Sequence, residues 1–211
     1  MFNHSFLIVA FSAIFTIVNP LGAVGPFLSM TARDPLDKRR STAKRACLLA
    51  AAVLAVCAAV GSFVFQFFGI TLPALKIAGG VLLFMVAIDM LNARESGAKT
   101  TKAERDEGAL AEDIAIFPLG IPLLSGPGAM VSVFILIERA KTPMDEAYIY
   151  LSIVLTMLIS YIMLNQAGRL AKFLGATGIN VMSRMMGLIL AAIAVQFILN
   201  GVLEAMPALK G

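Results

Sequence analysis

Two clusters of proline and glycine carry most of the chemistry open to this sequence. Asn19-Pro20-Leu21-Gly22-Ala23-Val24-Gly25-Pro26 sets two prolines and two glycines within eight residues. Pro118-Leu119-Gly120-Ile121-Pro122-Leu123-Leu124-Ser125-Gly126-Pro127-Gly128 sets three of each within eleven. Both lie inside apolar stretches. A proline in a helix interior lacks the N–H donor and clashes with the preceding turn, at about 3 kcal/mol, so each cluster is expected to break its helix. Lipid cannot satisfy the released backbone groups, and unwound chain persists only where it faces protein or a watery cavity. The N-terminus of a half-helix presents N–H donors and about half a positive charge to an anion, whereas loose carbonyls favour a cation. Together the breaks offer a carboxylate site beside an ammonium or metal-ion site, which suits a small zwitterion such as an amino acid. The expected binding residues are Asn19, Pro20, Gly22, Gly25 and Pro26 at the first break, and Pro122, Ser125, Gly126, Pro127 and Gly128 at the second. The alternative is that proline and glycine only kink tightly packed helices.

Other chemistry is sparse. His4 is the only histidine, and there is no His/Asp/Glu cluster, C-x-x-C or Ser-His pairing, so no catalytic residue, metal site or cofactor is expected. Cys47 and Cys57 fall about 15 Å apart along one helix and read as apolar fillers. Lys76, Asp89 and Arg184 are charged positions within apolar stretches. They are gating or charge candidates, with snorkelling to the interface as the alternative for Lys76 and Arg184. Asn165, Gln166, Gln196 and Asn200 are candidate interhelical hydrogen bonders. No carboxylate falls at mid-membrane, so coupling to Na⁺ or H⁺ would have to use backbone, Asn19, Ser125 or water.

The elements that position these residues follow from hydropathy. Of 211 residues, 59% are hydrophobic and 14% charged, and the mean hydropathy is +0.89. Soluble domains are nearer one-quarter charged. Six stretches match the roughly 20 apolar residues needed to cross a bilayer, at about 5–31, 46–68, 72–92, 114–137, 147–168 and 180–203. The first lacks the basic flank and cleavage site of a signal peptide. The net charge of +4 is topological and does not point to nucleic acid. Segments 32–45, 93–113 and 169–179 hold twelve Lys and Arg residues, against Arg139, Lys141 and Lys210 in the opposite set. The positive-inside rule then puts both termini outside. Segment 93–113 reads as a polar cytoplasmic linker, with a regulatory role as the alternative.

An internal repeat organises the spans. Lys76-Ile77-Ala78-Gly79 recurs as Arg184-Met185-Met186-Gly187, each following a Gly-Ile pair and preceding a Leu-Asn pair. The two Pro/Gly clusters also align, in either of two registers. The expected fold is all-α, with six transmembrane helices in two inverted three-helix repeats and helices 1 and 4 broken at the clusters. The expected division is 1–92, the linker 93–113, and 114–211. Inverted repeats are an architecture of secondary transporters; they also occur in scaffolds and channels.

The segments NPLGAVGPFLSMT (19–31), LKIAGGVLLFMVAIDML (75–91), FPLGIPLLSGPGAM (117–130) and TGINVMSRMMGLIL (177–190) closely resemble the MarC family of bacterial inner-membrane proteins. The resemblance implies a six-helix fold of the LysE-like transporter superfamily, in the inner membrane, and transport of small neutral amino acids such as glycine and alanine. Lys76 stands where that family more often has Arg, and Gln196 where an acidic residue can occur. The function expected is secondary transport by alternating access with Na⁺ or H⁺ coupling, and a homo-oligomer is left open. The alternatives are a passive channel or exporter of another small solute, with drug efflux a weak variant, and a non-transporting scaffold.

Overall fold

The computed structural model describes residues 4–92 and 115–206; the linker expected at 93–113 lies outside them. All the regular elements among the described residues are helical: α1 (His4–Val18), α2 (Pro20–Met30), α3 (Leu36–Phe68), α4 (Leu72–Leu91), a π-helix (Ala115–Leu124), α5 (Pro127–Arg139), α6 (Pro143–Asn165) and α7 (Ala167–Ala205). Five stretches among them are long and apolar enough to cross a membrane: Ser5–Met30, Leu36–Gly61, Leu72–Leu91, Pro143–Asn165 and Asn180–Ala205.

The stretch 114–137, expected as a span broken at its Pro/Gly cluster, is divided there into the 10-residue π-helix and the 13-residue α5. Proline explains the division. Pro122 has no N–H for an ordinary helical bond, and the widened turn instead sends Ser125 N–H to the Gly120 carbonyl at 3.1 Å. Helix α3 starts at Leu36, about ten residues earlier than hydropathy indicates. Lys, Arg and Ala are good helix formers, and Asp37 complements the helix dipole in the first turn. Its 33 residues reach about 50 Å, so most of the cations of segment 32–45 ride on a helix that extends beyond the apolar layer. Segment 169–179 is likewise helical apart from Gly175, whose φ of 65° bends α7. Helix α6 begins at Pro143 because Thr142 and Asp145 form a reciprocal capping box. The Asp145 carboxylate also accepts from Lys141 N–H at 3.1 Å.

Helices α4 and α7 run antiparallel in close contact, and glycine makes this possible. A Cβ on Gly80 would lie 2.8 Å from the Ala194 carbonyl oxygen and 3.1 Å from Ile198 N. One on Gly187 would lie 3.1 Å from both Ala87 O and Leu91 N, and one on Gly201 2.8 Å from Pro73 O. Each glycine therefore sits on a single backbone turn of the opposite helix. Between helices that gain little from hydrophobic contrast with lipid, such approach supplies the dispersion contacts. Gly80→Val must push backbone as well as the Ile198 side chain, whose Cγ1 would lie 2.6 Å from the new Cβ. It is expected to cost about 1–3 kcal/mol, measured by denaturant unfolding in detergent.

Small residues also line the inner face of α3, where Ala43, Ala46, Ala50 and Leu54 are fully buried. The π-helix crosses there, and a Cβ on Gly120 would lie 2.9 Å from Leu49 and 3.4 Å from the Ala46 carbonyl. The opposite faces are apolar and outward: Val81, Met85 and Ile88 on α4 and Leu188 and Leu199 on α7 are exposed, as a lipid-facing surface requires.

Candidate functional site at the two helix breaks

The first break rests on one residue. Pro20 disfavours right-handed helix at the residue before it, and Asn19 is left-handed, with φ 52° and ψ 69°. Asparagine tolerates this conformation better than most side chains. Helix α1 closes onto it through Asn19 N–H to the Phe15 carbonyl at 3.0 Å. Helix α2 opens from it with Pro20 at its first position, where no N–H is needed. The Asn19 carboxamide oxygen accepts from Gly22 N–H at 3.2 Å, while its nitrogen donates to the Met90 sulfur on α4 at 3.6 Å. Asn19 is thus buried and engaged on both sides.

Gly22 is glycine because of that cap: a Cβ there would collide with the Asn19 amide nitrogen and lie 2.9 Å from its Cγ. A Cβ on Gly25 would meet nothing within 4 Å. Gly22→Ala should therefore displace the cap and cost about 1 kcal/mol, with Gly25→Ala near neutral by the same unfolding measurement. Pro26, inside α2, has no N–H to give the Gly22 carbonyl.

The second break is built differently. Ser125 is fully buried, and both its N–H (3.1 Å) and its hydroxyl (2.9 Å) donate to the Gly120 carbonyl. Its hydroxyl therefore closes the π-helix. Helix α5 then starts at Pro127 behind Gly126, and no side chain caps it. The two half-helix N-termini are thus unequal: α2 carries its own side-chain cap, whereas at α5 Pro127 has no N–H and Ala129 N–H donates to the Gly126 carbonyl at 2.9 Å, which leaves the Gly128 N–H in the first turn.

Gly126, Pro127, Gly128 and Ala129 line a narrow crevice with Ile17 from the end of α1 and Leu83 from α4. A Cβ on Gly128 would lie 2.7 Å from Leu83 Cδ2 and 3.5 Å from Ile17 Cγ2. The space is about 10 Å³, room for about one water. Leu83 is mid-way along α4, which spans Leu72–Leu91, so the start of α5 lies at the middle of that span. Of the residues the sequence singled out, Gly126, Pro127 and Gly128 share this crevice. Asn19, Pro20 and Ser125 are not among its lining residues.

The sequence model of the MarC family integral membrane proteins matches residues 4–206. The chain belongs to the MarC family. It is similar to the UPF0056 membrane protein MJ1677 of Methanocaldococcus jannaschii, 39% identical over 95% of this chain and 98% of that one. It is also similar to YhcE of Escherichia coli, 34% identical over 94% and 93% of the two chains. YvbG of Bacillus subtilis is 32% identical over 97% and 98%. No solved structure matches. This is a multi-pass integral membrane protein with bacterial and archaeal relatives.

In this MarC-family chain the charged candidates part company. Lys76 is 2% exposed and holds both carboxylate oxygens of Glu204, a residue of α7 that the sequence reading left aside. It is a buried ion-pair partner, in place of the snorkelling cation considered from sequence. Arg184, aligned with it in the repeat, is exposed, and Asp89 is half-buried without an ion pair among the described residues. Gln196 bonds Asn200 at 2.8 Å along the same helix, so this pair is not interhelical. Asn165 and Gln166 are exposed at the end of α6. Sequence reasoning also passed over Ser132 and Thr156, buried hydroxyls on α5 and α6 that have no hydrogen-bond partner among the described residues. The spacing of Ser152, Thr156 and Ser160, all fully buried on one face of α6, was the available signal.

Proposed function

We propose that this protein is a secondary transporter of small neutral amino acids, of glycine or alanine size, working by alternating access. The observation that carries the reading is the uncapped N-terminus of α5 opening onto the crevice at mid-span. The Gly128 N–H and the helix dipole favour a carboxylate there, and the apolar walls around Gly128 favour a substrate with little or no side chain. A crevice of about 10 Å³ fits a closed arrangement that must open to admit solute.

On this reading the membrane topology has six passes, the divided 115–139 segment supplying the fourth, in two inverted halves. The antiparallel contact of α4 with α7 supports the inversion, since each is the last helix of its half. The basic segments face the cytoplasm, both termini face outward, and the bacterial setting is the inner membrane. Coupling to Na⁺ or H⁺ would fall to backbone carbonyls and buried hydroxyls. Glycine or alanine at a hundred times its dissociation constant should stabilise purified protein by about 2.7 kcal/mol, read as a raised melting temperature. Lysine and leucine should leave it unchanged. Equal stabilisation by all four, or by none, would sink the assignment.

A further inference from the structure

A second site lies at one end of the bundle, away from the helix breaks. Two candidate spans end at Met30 and Asn165 and a third begins at Leu36, and the last turns of the first two and the start of the third line one pocket of about 420 Å³. Its lining includes Arg39 and Arg40 from the start of α3 and Arg169 and Lys172 from the start of α7, with no carboxylate among the described residues. Phe27, Leu28 and Leu164 add apolar wall.

The four cations are not equivalent. Arg39 is fixed: its Nε donates to the Asp34 carbonyl at 3.0 Å and its Nη2 to the Ala32 carbonyl at 2.8 Å. That arrangement sets the α2–α3 turn and commits two of its five donors to backbone. Arg40, Arg169 and Lys172 are exposed and form no ion pair among the described residues. By contrast, Lys38 on the same helix is neutralised by Asp34 at 2.8 Å. Ala167 and Gly168, in the first turn of α7, also line the pocket, and no side chain caps that turn.

We infer that this pocket binds a phosphate-bearing anion, and that its occupant is the headgroup of an anionic phospholipid. Like charges collected without a counter-ion in a walled space repel one another, and a phosphodiester relieves this while accepting from Arg and from backbone N–H. The location at span ends and the mixed cationic and apolar lining match a lipid, whose headgroup takes the cations and whose glycerol and first methylenes take Phe27, Leu28 and Leu164. Basic pockets between transmembrane helices are a recurring setting for such recognition.

The test uses full-length protein in nanodiscs, comparing phosphatidylglycerol or cardiolipin with phosphatidylcholine by native mass spectrometry and melting temperature. Anionic lipid should bind and stabilise the wild type. The triple variant Arg40→Gln/Arg169→Gln/Lys172→Gln should lose about 100-fold in affinity, at roughly 1 kcal/mol per cation. A control triple variant, Arg33→Gln/Lys38→Gln/Lys44→Gln, removes equal charge outside the pocket and should keep most of the affinity. Equal loss in both variants overturns the site, because a diffuse positive surface then suffices. Inorganic phosphate or glycerol 3-phosphate protecting as well as lipid overturns the lipid assignment, and absence of anionic selectivity overturns both.

Discussion

Glu204→Gln is expected to destabilise the protein by about 3 kcal/mol, at the lower end of what breaking a buried ion pair costs. The two partners are unequal. Lys76 is 2% exposed, whereas the Glu204 side chain is 37% exposed. Removing the carboxylate charge strands an ammonium that has almost no access to water, and an uncompensated buried charge is the costly product. Removing the cation leaves a carboxylate that water can reach. Lys76→Met should therefore cost about 1 kcal/mol or less, within the range of exposed pairs, and Lys76→Met/Glu204→Gln should cost less than Glu204→Gln alone, because no buried ammonium is left stranded. Denaturant unfolding of the three variants in one detergent gives the cycle. Equal costs for the two single variants would contradict this asymmetry: both small would mean that Lys76 reaches solvent, both large that Glu204 does not.

The second large effect concerns transport. Gly128→Ala places a methyl group 2.7 Å from Leu83 Cδ2, at the mouth of the α5 N-terminus. If solute sits there, displacing it by about 1 Å should lower exchange about 100-fold, with little change in unfolding because the obstructing atom is the tip of a flexible side chain. Shortening that side chain should restore room, so Gly128→Ala/Leu83→Ala is expected to recover most of the exchange lost in Gly128→Ala. Exchange of labelled glycine into proteoliposomes measures both. Unchanged exchange in Gly128→Ala would remove the crevice from the pathway.

The sequence already showed where the chain had to leave the helix. Asn19-Pro20 and Ser125-Gly126-Pro127 are covalent signals: a missing donor and a clash act on immediate neighbours, and the structure departs from regular helix at both. How the breaks are sealed was less legible. Gly22 read as backbone kept open for solute, yet its missing Cβ makes room for the Asn19 cap. Ser125 read as a polar group for a ligand, yet its hydroxyl is held by the Gly120 carbonyl. Both seals are short-range, but they depend on side-chain direction, which spacing alone does not fix. The Lys76–Glu204 pair joins residues 128 apart in sequence, and only the antiparallel packing of α4 and α7 brings them together. The early starts of α3 and α7 were hidden for another reason. Hydropathy marks the apolar layer, whereas a helix rich in Lys, Arg and Ala continues into water on its own propensity.

Counterflow asks whether solute passes through the crevice at α5. Proteoliposomes holding the wild-type protein and loaded with unlabelled glycine or alanine are diluted into trace labelled glycine. Saturable uptake above the level of empty liposomes is expected, reduced about 100-fold by Gly128→Ala. Uptake equal to that of empty liposomes, for every small neutral amino acid tried and with or without Na⁺ and H⁺ gradients, would contradict it.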